Sequence, residues 1–211
     1  MVKIIKLMLR AVFIPWKNAD YFRSELTSGL WTRAFLGLIF FGIAFSLTSL
    51  IQAATGNFPG IPLILPLSLE NYFVWQAILI IPWLVASWIL VSLLIKFGLA
   101  GLGARAVSFR QLSASMAINF YPFLFWLWLP HCLTALFYLL GMSQKEWVDL
   151  LSEPGWFQSA YIIFIILAIL VSFLATIITF IRIKWAKKGP SLILAVLSYI
   201  SWVLFVLILL R

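Results

Sequence analysis

The sequence predicts an all-α integral membrane protein: a five-transmembrane-helix bundle with the N-terminus cytoplasmic and the C-terminus outside. Three observations predict it. Of 211 residues, 64% are hydrophobic and 10% charged, where a soluble domain carries about 45–50% apolar and about 25% charged residues. Five uncharged apolar runs are each long enough to cross a hydrocarbon core of about 30 Å, which takes roughly 20 residues of helix. The Lys and Arg residues lie between those runs and alternate between rich and poor connections. So few ionisable groups cannot wet a globule, which excludes a soluble enzyme, a DNA-binding domain and a disordered chain. The net charge of +9 therefore reads as membrane topology and not as a nucleic-acid footprint.

Residues 1–33 read as a cytoplasmic segment carrying an amphipathic interfacial helix. Lys3, Lys6 and Arg10 follow i, i+3, i+7 spacing, with Ile4, Ile5, Leu7, Met8, Val12 and Phe13 around the rest of the helix. That pattern suits a helix lying in the plane of an anionic leaflet, each basic residue contributing about 1 kcal/mol there; the alternative is a frayed tail that only sets topology. The same basic residues interrupt what a secretory signal needs as an uncharged core.

Residues 34–211 read as the membrane domain, with spans at about 34–54, 72–95, 112–140, 160–181 and 191–210. None has a charge near its middle, where a Lys or Arg costs about +2.5 to +3.5 kcal/mol. The basic residues ahead of, between and after the spans number 6, 0, 3, 1, 4 and 1. Thirteen thus fall on one side and two on the other, and the rich side is cytoplasmic. Of the outer loops, the first carries Gly56, Pro59, Gly60, Pro62 and Pro66 and forms a turn-rich strap. The second, Ser143 to Trp156, places Trp147, Leu150 and Leu151 over Glu146, Asp149 and Glu153. It is either a short surface helix with Trp147 and Trp156 at headgroup level or a solvated loop with its own apolar cluster.

Small and hydroxyl residues form stripes: Gly42, Ser46, Ser49 and Ala53 in the first span, Ala168, Ser172, Ala175, Thr176 and Thr179 in the fourth, Ser191, Ala195 and Ser198 in the fifth. These read as packing seams, since close approach and interhelical hydrogen bonds drive association in lipid. The third span is the most polar and most broken, with Asn119, Tyr121, Pro122, Pro130 and His131 among its residues. Each proline frees a carbonyl one turn earlier, and a freed carbonyl in the membrane needs a partner from a neighbouring helix. This helix is therefore expected to bend and to lie inside the bundle. Asn119 and His131 are the two intramembrane positions where a functional role and a satisfied structural role compete.

Catalysis finds little support. All six acidic residues lie in the tail or the outer loops, so no carboxylate serves proton transfer in the membrane core. Within its own helix His131 has Ser115 as a partner only sixteen positions away, roughly 24 Å at about 1.5 Å per residue; a hydroxyl on another span remains the open case. Cys132 is a single thiol, and no metal or cofactor is indicated.

Two stretches resemble the Yip family, the Ypt/Rab-interacting membrane proteins and their prokaryotic relatives. One runs Val12-Phe13-Ile14-Pro15, Tyr21-Phe22 and Trp31-Thr32-Arg33-Ala34; the other runs Val107-Ser108-Phe109-Arg110-Gln111-Leu112 and on to Asn119-Phe120-Tyr121-Pro122. On that likeness Tyr121 and Pro122 are the matched positions. The acidic Asp-Leu-Tyr-Gly-Pro motif of eukaryotic members is missing, so the resemblance implies a prokaryotic-type member of a bacterial inner membrane. It implies a non-enzymatic scaffold or accessory subunit in membrane organisation, whose partners are the bilayer, other membrane proteins or further copies of itself. The alternative is a small transporter or lipid-handling protein with a cavity lined by the bent third span. On either reading, Asn119, Tyr121, Pro122 and His131 are the ligand- or partner-binding positions.

Overall fold

The computed structural model of the chain describes residues 2–24, 29–57, 69–102 and 107–209. Helix α1 (Val2–Phe13) leads through a short 3-10 turn (Pro15–Lys17) into α2 (Asn18–Ser24). Five long helices follow: α3 (Gly29–Ala54), α4 (Tyr72–Gly101), α5 (Phe109–Leu139), α7 (Trp156–Ile183) and α8 (Lys188–Leu209), with a short α6 (Gln144–Ser152) between α5 and α7. These are the five expected spans, each long and apolar enough to cross a membrane. Most run a turn or so beyond the apolar stretch of sequence, because helical hydrogen bonding continues until a cap or turn ends it. The strap expected after Gly56 falls on residues 58–68, outside those described.

Unlike a water-soluble bundle, this one is apolar on its outer surface as well as in its core. On α3 the outward residues are Leu36, Phe40, Ile43, Leu47 and Leu50, while Thr48, Ser49 and Gln52 are buried. Lipid solvates the apolar face, and backbone and side-chain polar groups must find partners inside. Helix α3 packs against α4 and α5, α5 against α7, and α8 against α4 and α7. Helix α5 also touches α1, α2 and α4, so it holds the interior position expected of it. Every residue from Leu112 to Leu124 is buried, and Pro122 and Pro130 both lie within its helix.

The stripes of small residues are seams. A Cβ on Gly42 would come within 2.7 Å of Ile81 on α4, and Ser46 donates to the Ala77 carbonyl beside it. In α7 the whole set from Ala168 to Thr179 is buried, as are Ser191, Ala195 and Ser198 in α8.

Both amphipathic segments are helices, and both turn apolar residues onto protein. Helix α1 buries Leu7, Met8, Ala11 and Val12 against α3 and α5. Its Phe13 ring meets Phe125 and Trp126, halfway along α5. Helix α6 starts with a capping box: the Ser143 hydroxyl accepts from the Glu146 amide, and Glu146 accepts from the Ser143 amide. Trp147 is not turned towards headgroups. It is buried among Phe137, Tyr138 and Phe157, because a helix this short is stabilised by packing an aromatic side chain on its neighbours. Trp156 does stay exposed.

Candidate functional site

The polar residues of α5 divide into two buried clusters. The first centres on Asn119. Its Oδ1 accepts from Asn18 Nδ2 at 3.1 Å and from the Thr179 hydroxyl at 2.9 Å, and its Nδ2 donates to Ser115 Oγ at 3.4 Å. One amide thereby ties α2, α5 and α7 together. Pro122 deprives the Ile118 carbonyl of its donor, and the next carbonyl along, that of Asn119, accepts from the Ser172 hydroxyl of α7 at 2.8 Å. Asn18 Oδ1 is buried without a partner.

Tyr121 lies on another face of the same turn. Its hydroxyl donates to the Ala34 carbonyl of α3 at 2.5 Å, its ring meets Phe41, and it rests over Gly37, where a Cβ would collide with the ring. Two tryptophans extend this α3–α5 seam. Trp31 donates to Ser113 Oγ at 3.0 Å, and Trp88 of α4 donates to the Ser113 carbonyl at 2.7 Å.

The second cluster surrounds His131 and runs as a chain of hydrogen bonds. Gln52 Nε2 lies 3.3 Å from His131 Nδ1 and donates to the His131 carbonyl at 3.1 Å. His131 Nε2 lies 3.2 Å from Ser49 Oγ, and Ser49 donates to Gln76 Oε1 at 2.7 Å. Gln76 Nε2 and the Tyr72 hydroxyl both donate to the Leu209 carbonyl at 2.8 Å. The partners select the histidine tautomer: Ser49 spends its proton on Gln76, so Nε2 carries the hydrogen towards Ser49 while Nδ1 accepts from Gln52. The chain therefore runs in one direction, Gln52 to His131 to Ser49 to Gln76 to the end of α8.

A serine on another span does reach His131, the case the sequence left open. In this arrangement the imidazole donates to that hydroxyl, whereas a general base must accept its proton. No carboxylate is among the partners found for His131. Among the described residues no three His, Cys, Asp or Glu side chains gather where a metal could be held.

Asn119 and His131 are thus brought into separate clusters. Asn119 and Tyr121 share the first region, and Pro122 contributes by exposing backbone. Sequence reasoning missed Asn18, Gln52, Tyr72 and Gln76 as partners. Gln52 and Gln76 carried a readable signal, being amides inside otherwise apolar runs. Asn18 carried none, because it lies eleven residues ahead of α3.

Five long apolar helices with polar groups turned inward define a multi-pass integral membrane protein. Comparison of the chain with protein-family models, with curated proteins and with solved structures finds no match.

Proposed function

We propose that this chain is a non-enzymatic, Yip-like membrane protein that acts as a scaffold or accessory subunit, with its N-terminus in the cytoplasm of a bacterial inner membrane and its C-terminus outside. One observation carries the reading. Asn119, Tyr121 and His131 of α5 all make hydrogen bonds to other helices of the same chain, and Asn119 and Tyr121 are fully enclosed. The Yip likeness rests on the sequence of the two stretches alone. In the structure the N-terminal segment and the start of α3 touch α5 through Phe13–Phe125, Asn18–Asn119, Trp31–Ser113 and Ala34–Tyr121. The alternation of basic loops supports the orientation.

The test is purification in mild detergent followed by mass spectrometry of everything that accompanies the chain. Stoichiometric protein partners, or a defined oligomer, are expected. Asn119→Ala and His131→Ala should weaken stability or that assembly. A turnover lost in His131→Ala while the fold stays intact would overturn the reading in favour of an enzyme.

A second reading, lipid handling, has one specific observation in its favour. Phe125 and Trp128, which lie between the two prolines of α5, help to line an apolar groove that opens at the side of the bundle.

A further inference from the structure

We propose that this groove seats one acyl chain of an anionic phospholipid whose headgroup pairs with Lys3 and Lys6. The groove has a volume of about 460 Å³ and lies between α1, α3 and α5, with Met8, Val12, Phe41, Ala44, Phe125 and Trp128 in its walls. Ligand pockets run at about 300–1,000 Å³. What is unusual is the chemistry: the Thr48 hydroxyl is spent on the Ala44 and Phe45 carbonyls of its own helix, and the indole N–H of Trp128 is buried out of reach. The surface the groove offers is apolar throughout, and an aliphatic chain fits it.

Helix α1 supplies the second half of the site. At about 100° per residue its surface divides into three arcs. Leu7, Met8, Ala11 and Val12 face the bundle and are buried. Val2, Ile5, Leu9 and Phe13 form an exposed apolar arc. Lys3, Lys6 and Arg10 form a basic arc beyond it. Ile5 and Leu9 border both the deep groove and a shallower depression edged by Lys6 and Arg10. The apolar surface therefore continues from the groove around α1 to the basic edge, the order of chemistry found along a phospholipid.

The charges are not equivalent. Arg10 pairs with Asp20 at 3.7 Å and lies over the Tyr21 ring at 4.7 Å. Lys3 and Lys6 are exposed and make no ion pair among the described residues. Lys6 edges the shallower depression and Lys3 lies one turn before it on the same arc of α1; two such cations are complementary to an anionic headgroup and indifferent to a zwitterionic one. A lipid seated here is compatible with a scaffold as well as with lipid handling; its absence would remove the support for lipid handling and leave the scaffold reading untouched.

The full chain, purified in mild detergent, is titrated with phosphatidylglycerol and, separately, with phosphatidylcholine of identical acyl chains, and retained lipid is counted by native mass spectrometry. The wild type should retain one phosphatidylglycerol in preference to phosphatidylcholine. Lys3→Gln and Lys6→Gln should each weaken phosphatidylglycerol retention about fivefold, and roughly 30-fold together, without changing phosphatidylcholine. Ala44→Trp fills the groove and should lower retention of both lipids. Leu47→Trp, at an outward-facing position on the groove wall, repeats that test if Ala44→Trp melts early. Equal retention of the two lipids by the wild type, or wild-type retention by a folded plug variant, would mean annular lipid only and would overturn the proposal.

Discussion

Asn18 donates to Asn119 across 101 residues of sequence, at 3.1 Å and out of contact with solvent. This bond fastens the segment before the membrane domain to the helix at its centre, so the N-terminal region is part of the folded unit. An interhelical hydrogen bond in a membrane contributes about 0.6 kcal/mol on average and at most about 1.7. Asn119→Ala removes two such bonds and a third within α5, and should destabilise by about 1–3 kcal/mol. Asn18→Ala should cost less, because it also removes an acceptor that has no partner. The double variant should cost less than the sum of the two, measured as unfolding free energies in detergent. Strict additivity would mean that the bond contributes nothing.

Gly37 is held to its identity by Tyr121. Any side chain there meets the tyrosine ring, which its hydroxyl anchors to the Ala34 carbonyl. Gly37→Ala should therefore cost about 1–3 kcal/mol through overpacking. Gly101→Ala, with nothing within 4 Å, should be neutral or slightly stabilising in a thermal melt. Shortening the ring in Gly37→Ala/Tyr121→Leu should recover part of the loss.

The chain through His131 predicts a stability effect that spreads along it. His131→Ala leaves Gln52 Nε2 and Ser49 Oγ each short of a partner and should cost about 1–3 kcal/mol. Ser49→Ala breaks the same chain and should add little to His131→Ala. Unfolding measurements on the two single variants and the pair read this coupling directly.

Helix α6 should weaken in acid. The Ser143 amide and hydroxyl hold the Glu146 carboxyl below its ordinary value. A carboxyl depressed in the folded state stabilises above its unfolded pKa, and that stabilisation is lost as pH falls through the folded value. Amide exchange in α6, corrected for intrinsic rates, should therefore lose protection as pH is taken below the usual carboxylate range. Glu146→Gln should lack this pH dependence.

The five spans were legible because a bilayer sets one requirement, an uncharged apolar run of sufficient length, that each sequence segment satisfies by itself. The interior place of α5 was legible for a related reason: Pro122 and Pro130 create backbone debts that only neighbouring helices can settle. Partners were not legible. Nothing local to Asn18 says that it meets Asn119, since that contact follows from how α2 folds back on α5 and α7. Likewise the spacing to Ser115 correctly set aside one hydroxyl for His131 and could not point to Ser49 on another helix. The amphipathic patterns of α1 and α6 gave the helices and half of their surroundings. Whether an apolar face meets lipid or protein depends on the rest of the fold, and here Met8 and Trp147 meet protein.

Five helices threading the bilayer should leave the two chain ends on opposite faces. Tags placed before Met1 and after Arg211, probed by protease in sealed membranes of known orientation, test it most directly. Cleavage of the two tags from opposite faces, the first from the cytoplasmic side, is the predicted result; cleavage of both from one face would contradict it.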